Sequence, residues 1–120
     1  MDSHIQMIES DIFIPAENME AALDDLYKAG YASEKLHKSL EGFFWFECYH
    51  VYCNDKGLYL ESYDDKMGYD REIFLTIAPY AHGNSLWCDK DDGSQWKWCF
   101  EDGNLVEYYP TITWSLYVIE

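Results

Sequence analysis

The sequence predicts an α+β fold, an antiparallel sheet with two main helices on one face, in the ferredoxin-like order of elements extended by a C-terminal β-meander. Three observations lead there. A helical period of apolar residues fills 16–29, aromatic and β-branched runs of strand length surround it, and two Asp-Gly turns punctuate the last third. With 120 residues, no linker-like tract and no internal repeat, the chain reads as a single domain over 1–120.

"IQMIESDIFI" (5–14) reads as a strand that Pro15 stops, and Pro15 suits the first turn of a following helix. Within "AENMEAALDDLYKAG", Met19, Ala22, Leu23, Leu26 and Tyr27 recur at helical spacing and Gly30 is the stop. Glu17, Glu20 and Asp24 then fall on the opposite side. "SEKLHKSLEG" (33–42) reads as a short helix capped by Ser33, with Leu36 and Leu40 four apart. "FFWFECYHVYC" (43–53) and "GLYLESY" (57–63) read as a hairpin. "DREIFLTIAPY" (70–80) reads as a second helix, N-capped by Asp70, burying Ile73, Phe74 and Ile77 and ended by Pro79.

The last third sets a register problem. If Asp92-Gly93 alone is the first loop, Trp98 opposes Trp87. A three-residue loop, Asp91-Asp92-Gly93, instead gathers Leu86, Cys88, Trp96 and Trp98 on one apolar face, and burial favours it. The same treatment of Glu101-Asp102-Gly103 adds Phe100 to that face and sets Lys97 opposite Glu107. Trp87, Cys99 and Leu105 are left outside among Asp89, Gln95, Lys97 and Glu107. That outer face is either a protein-binding surface or is covered by a helix or by a 112–119 strand.

Charge narrows the function. Twenty-three carboxylates against eight bases give a net charge of −15, distributed through the chain and not gathered in a tail. Such a chain repels nucleic acid and anionic membrane and attracts a basic protein, although plain solubility accounts for acidity equally. "MDSHIQMIES" has no basic start or apolar run, and no stretch reaches the ~20 apolar residues of a spanning helix. The expected location is cytoplasmic, with thiols in place of disulfides.

Catalytic and metal signals are missing. Cys48 and His50 share a strand face, but Cys53 falls on the other, and no paired C-x-x-C occurs, so buried hydrophobic cysteines are expected over zinc. The histidines at 4, 37, 50 and 82 sit singly, and neither a G-x-S-x-G, a P-loop, a G-x-G-x-x-G nor an H-E-x-x-H is present. Asp24-Asp25, Asp64-Asp65 and Asp91-Asp92 match no EF-hand spacing. The expectation is a non-enzyme with no cofactor and no metal. The rival is a small-ligand or nucleotide-signal domain with an aromatic pocket, since eleven tyrosines and five tryptophans are available to line one.

The stretch "LTIAPYAHGNSLWCDKDDGSQWKWCFEDGNLVEYYPTITW" resembles a pattern found in small proteins of Firmicutes and their mobile elements. Its recurring parts are an A-P-Y helix end, D-G, W-x-W-x-F, a second D-G and a final aromatic strand. The resemblance brings no activity and no residue roles with it. In size, charge and lack of catalytic motifs the chain is similar in kind to phage anti-CRISPR proteins and immunity proteins. The functional expectation is therefore an acidic inhibitor or antidote that blocks the substrate groove of a basic nucleic-acid-handling protein, such as a nuclease. Its candidate contact residues are Glu17, Glu20, Asp24, Trp87, Asp89 and Glu107. For the helix residues the competing account is an ordinary solvated face.

Overall fold

The computed structural model describes residues 3–120. The stretch expected as one strand forms two, β1 (His4–Ser10) and β2 (Phe13–Pro15). Both lie antiparallel to the same strand, β4 (Gly57–Lys66). On their other side β1 pairs with β5 (Gly83–Asp89), and Phe13 bridges His82. They act as one central strand broken at Asp11–Ile12. The break has a local cause, because side chains capture backbone partners there. Ser10 Oγ donates to the Leu60 carbonyl at 2.7 Å and accepts from the Ile12 N–H, while the Asp11 carboxylate accepts from the Asn84 N–H at 2.6 Å.

The helix α1 (Ala16–Ala29) follows β2 directly and closes at Gly30, burying Ala22, Leu23 and Leu26 as its period requires. The next segment departs from expectation. Ser33–His37 is a turn, and the helix is α2 (Leu40–Phe46), capped by Ser39 Oγ accepting from the Gly42 N–H at 2.9 Å. Leu40, Phe43 and Phe44 recur at i, i+3 and i+4 and are buried, so helical amphipathicity overrides the β-propensity of Phe-Phe-Trp-Phe. The strand β3 (Tyr49–Asn54) starts only after Cys48, whose φ is 70°.

The β3–β4 hairpin turns where expected, between Asn54 and Gly57. Gly57 is required by space: a Cβ there would lie 2.2 Å from the Ile14 carbonyl oxygen. The helix α3 (Asp70–Ile77) buries Ile73, Phe74 and Ile77 and runs into a 3-10 turn, Ala78–Tyr80, containing Pro79. Its N-cap residue is Tyr69, and Asp70 is the first helical residue.

The strands β6 (Gln95–Glu101) and β7 (Asn104–Tyr108) complete a seven-stranded antiparallel sheet, ordered β3, β4, β1 with β2, β5, β6, β7. β5 lies beside the first strand and the β3–β4 hairpin on its other side, as the ferredoxin-like order requires. β6 and β7 form the meander, and α1, α2 and α3 bury their apolar residues in one core.

Both meander registers differ from expectation. Trp87 opposes Trp96, Ser85 opposes Trp98 and Leu86 opposes Lys97, leaving a wider loop of Lys90–Gly93. Aspartates fix this loop by bonding to its backbone: Asp89 Oδ1 accepts from the Asp91 N–H and Asp92 Oδ1 from the Ser94 N–H, each at 2.8 Å. The second turn is the two-residue pair Asp102-Gly103, both at positive φ, as a type I′ hairpin demands. It sets Trp98 opposite Glu107, Phe100 opposite Leu105 and Lys97 opposite Tyr108.

Trp98 and Phe100 are buried, and Trp96 packs on the core, as the sequence suggested. Trp87 is the correction. Expected outside, it is 0% exposed and surrounded by Tyr49, Tyr63, Phe74, Trp96 and Trp98, at ring-centroid distances of 4.9–6.4 Å. Leu86 and Cys88 turn to the face away from this cluster. That register buries the indole and Ser85 where the expected one would bury a leucine and a cysteine, and it brings the indole edge and face against five other aromatic rings. Leu105, also expected outside, packs on the core opposite Phe100.

Residues 112–119, expected as a closing strand, pair with nothing among the described residues and lie exposed. All four cysteines are free. Cys88 and Cys99 share a face, contrary to expectation, yet the ladder sets them apart: Cys99 opposes Asn84 and Cys88 opposes Gln95. Among the described residues no helix is long and apolar enough to cross a membrane.

Candidate protein-docking surface

The stripe that packs α1 on the core leaves its other side in solvent. Glu17, Glu20 and Asp24 are all exposed there. Steps of three and four residues separate their Cα atoms by about 4.5 and 6 Å along the axis. The ion pairs among the described residues are His4–Asp64, Lys90–Asp64 and Arg71–Glu107, so none of the three helix carboxylates is neutralised by one. The neighbouring Asp25 is engaged, accepting from Tyr80 Oη at 2.6 Å.

The other three candidates serve the fold. Trp87 is core, and its Nε1 donates to Ser85 Oγ at 2.8 Å. Asp89 is half-buried and holds the Lys90–Gly93 loop. Glu107 faces Trp98: its Oε1 accepts from Trp98 Nε1 at 2.9 Å and from Arg71 Nε at 2.7 Å. The indole N–H and then the guanidinium hold this carboxyl below its usual range. The expected surface thus contracts to the α1 stripe.

Two features escaped sequence reading. The first is a buried polar pair. Asp70, 3% exposed, accepts from Tyr49 Oη at 2.6 Å and from the Gly68 N–H at 2.9 Å. Burial pushes its carboxyl up despite both donors, and pushes the fully enclosed Tyr49 phenol well above its usual value. Glu47 is also raised, by burial first and by Asp70 second. Nothing in the sequence marks this pair, because twenty-one positions separate its members.

The second is an open hollow of about 660 Å³ lined by Leu86, Trp96, Lys97, Cys99, Tyr108 and Tyr109 among others. Its base, Lys97, is accompanied by the carboxylate of Glu101. Among the described residues no three histidine, cysteine or carboxylate side chains gather as metal ligands. No family model matches this chain, no curated protein matches it in sequence, and no solved structure matches it in fold.

Proposed function

We propose that the chain is a non-enzymatic acidic binding protein that docks the exposed face of α1 on a basic nucleic-acid-handling protein, such as a nuclease, and blocks its substrate groove. One observation carries the reading: Glu17, Glu20 and Asp24 form an exposed line of carboxylates with no ion-pair partner among the described residues, on one helix of a chain with net charge −15. Their spacing is comparable with that of phosphates along a nucleic-acid strand, so the same lysines and arginines would meet either ligand. Long-range attraction would speed the encounter and weaken with salt.

The test is capture from host lysate at low and moderate salt by the wild-type chain and by the Glu17→Lys/Glu20→Lys/Asp24→Lys variant. The wild type should retain a basic nucleic-acid-binding protein at low salt and less of it at moderate salt. The variant should lose it with an unchanged melting temperature, since all three side chains are exposed. Equal capture by the variant would remove α1 from the interface, and no basic partner at either salt would end the reading.

A second reading, a small-ligand or nucleotide-signal site, has one observation in its favour. It is the open hollow of about 660 Å³, whose lining includes Trp96, Tyr108 and Tyr109 beside Lys97. Lys97 beside Glu101 makes a weak anion site, which places this reading second. Saturable thermal stabilisation by nucleotides would reverse the order.

A further inference from the structure

The segment Ile112–Ile119 holds six large apolar side chains in water, with Trp114 and Leu116 each 94% exposed. Its composition is that of a strand. Ile112, Trp114, Leu116 and Val118 alternate with Thr113, Ser115, Tyr117 and Ile119. From Tyr108 to Ile119 no side chain is charged, in a chain otherwise rich in carboxylates. The segment continues from β7, which is an edge strand hydrogen-bonded to β6 alone. An uncovered apolar strand and an open strand edge therefore adjoin on one molecule.

We propose that Ile112–Ile119 is an intermolecular strand, and that in a two-fold dimer each copy lays it antiparallel along β7 of the other. The partner is a second copy because the geometry closes without bending the chain. Only Tyr109-Pro110-Thr111 joins β7 to the segment, and with that join extended, antiparallel self-pairing about an axis near Thr111 sets each tail on the opposite β7. Eight residues reach about 26 Å, enough to cover the five residues of β7 at about 3.3 Å each. Pro110, which has no N–H, falls near the crossing, where it costs the ladder least. Folding back onto its own β7 would need a tight turn at Tyr109-Pro110-Thr111, which lacks the Gly, Asn or Asp of a two-residue hairpin loop. The described residues span 66 Å along their long axis against 33 and 23 Å along the others, and Ile112–Ile119 is paired with none of the seven strands. An acidic partner is tolerated because the contacting segment is uncharged. Repulsion between two chains of −15 nevertheless opposes the dimer, so added salt strengthens it. That dependence is opposite to the one expected for a basic partner on α1, and the two proposals therefore fail separately.

Sedimentation equilibrium at micromolar concentration, at low and moderate salt, tests this. The full chain should approach twice 14.2 kDa, more completely at moderate salt. A chain ending at Pro110 and the full-length Ser115→Pro variant should both be monomeric, with the far-ultraviolet dichroism and melting temperature of the monomeric domain. Ser115→Pro leaves the apolar side chains in place and removes ladder bonding, so a dimer that survives it would overturn the strand model. A monomeric full chain at both salts, a dimer persisting without the tail, or an open series of larger species would each overturn the proposal too.

Discussion

Replacing Trp87 by Ala should lower the free energy of unfolding by about 3–5 kcal/mol, the range for a large buried aromatic. The indole is 0% exposed and stands among five aromatic rings contributed by β3, β4, β6 and α3. Removing it opens a cavity at the junction of sheet and helices, and rigid neighbours close such a cavity only in part. Since domains have about 5–15 kcal/mol of total stability, the variant should stand near the limit of folding. Trp87→Phe should cost much less, because most ring contacts remain and Ser85 Oγ still donates to the Trp98 carbonyl. Urea denaturation followed by circular dichroism measures both. A loss below about 1 kcal/mol for Trp87→Ala, the scale of an ordinary substitution, would return this indole to the surface and restore the expected register.

Replacing Asp70 by Ala should cost about 1–3 kcal/mol, because it leaves the Tyr49 hydroxyl buried without its acceptor. The wild-type pair also carries a pH signature. Burial raises the folded Asp70 carboxyl above its unfolded value, so the folded state binds this proton more tightly. Stability from this group is therefore fullest below the ordinary carboxylate range and falls as pH rises through the raised folded value. Asp64, Asp65, Asp92 and Glu107 are lowered instead, so each adds stability that is lost as pH falls. Those four groups remain in Asp70→Asn, so subtracting its pH–stability curve from that of the wild type leaves Asp70 and its coupling to Glu47, which acts with the same sign. The difference should decline from about pH 4 upward. A difference that rises with pH would mean that the hydrogen bonds to Asp70 outweigh its burial.

The sequence was informative where one physical constraint acts alone. The α1 stripe, the Asn54–Gly57 turn, the α3 apolar triplet and the order of strands and helices around them all followed from local period and turn chemistry. It misled where two constraints compete. Phe43–Phe46 has the composition of a strand and the spacing of a helix, and burial beside α1 chooses the helix. Trp87 is misplaced by reading the first Asp-Gly turn as three residues, whereas side-chain bonds from Asp89 and Asp92 hold four. A slip of one residue carries every side chain to the opposite face. That slip took Trp87 and Asp89 into the candidate surface, and a separate one at the second turn, two residues where three are expected, took Glu107 there. Glu17, Glu20 and Asp24 remained because their exposure follows from a helix period that needs no partner strand. The Tyr49–Asp70 pair was invisible because only tertiary structure brings it together.

The most direct test of the proposed role is competition. The basic protein captured by the chain is loaded with labelled nucleic acid and titrated with the wild type and with the Glu17→Lys/Glu20→Lys/Asp24→Lys variant. The account predicts that the wild type displaces the nucleic acid stoichiometrically at low salt, less effectively as salt rises, and that the variant displaces none. Nucleic acid that stays bound while the wild-type chain saturates the same protein would contradict it.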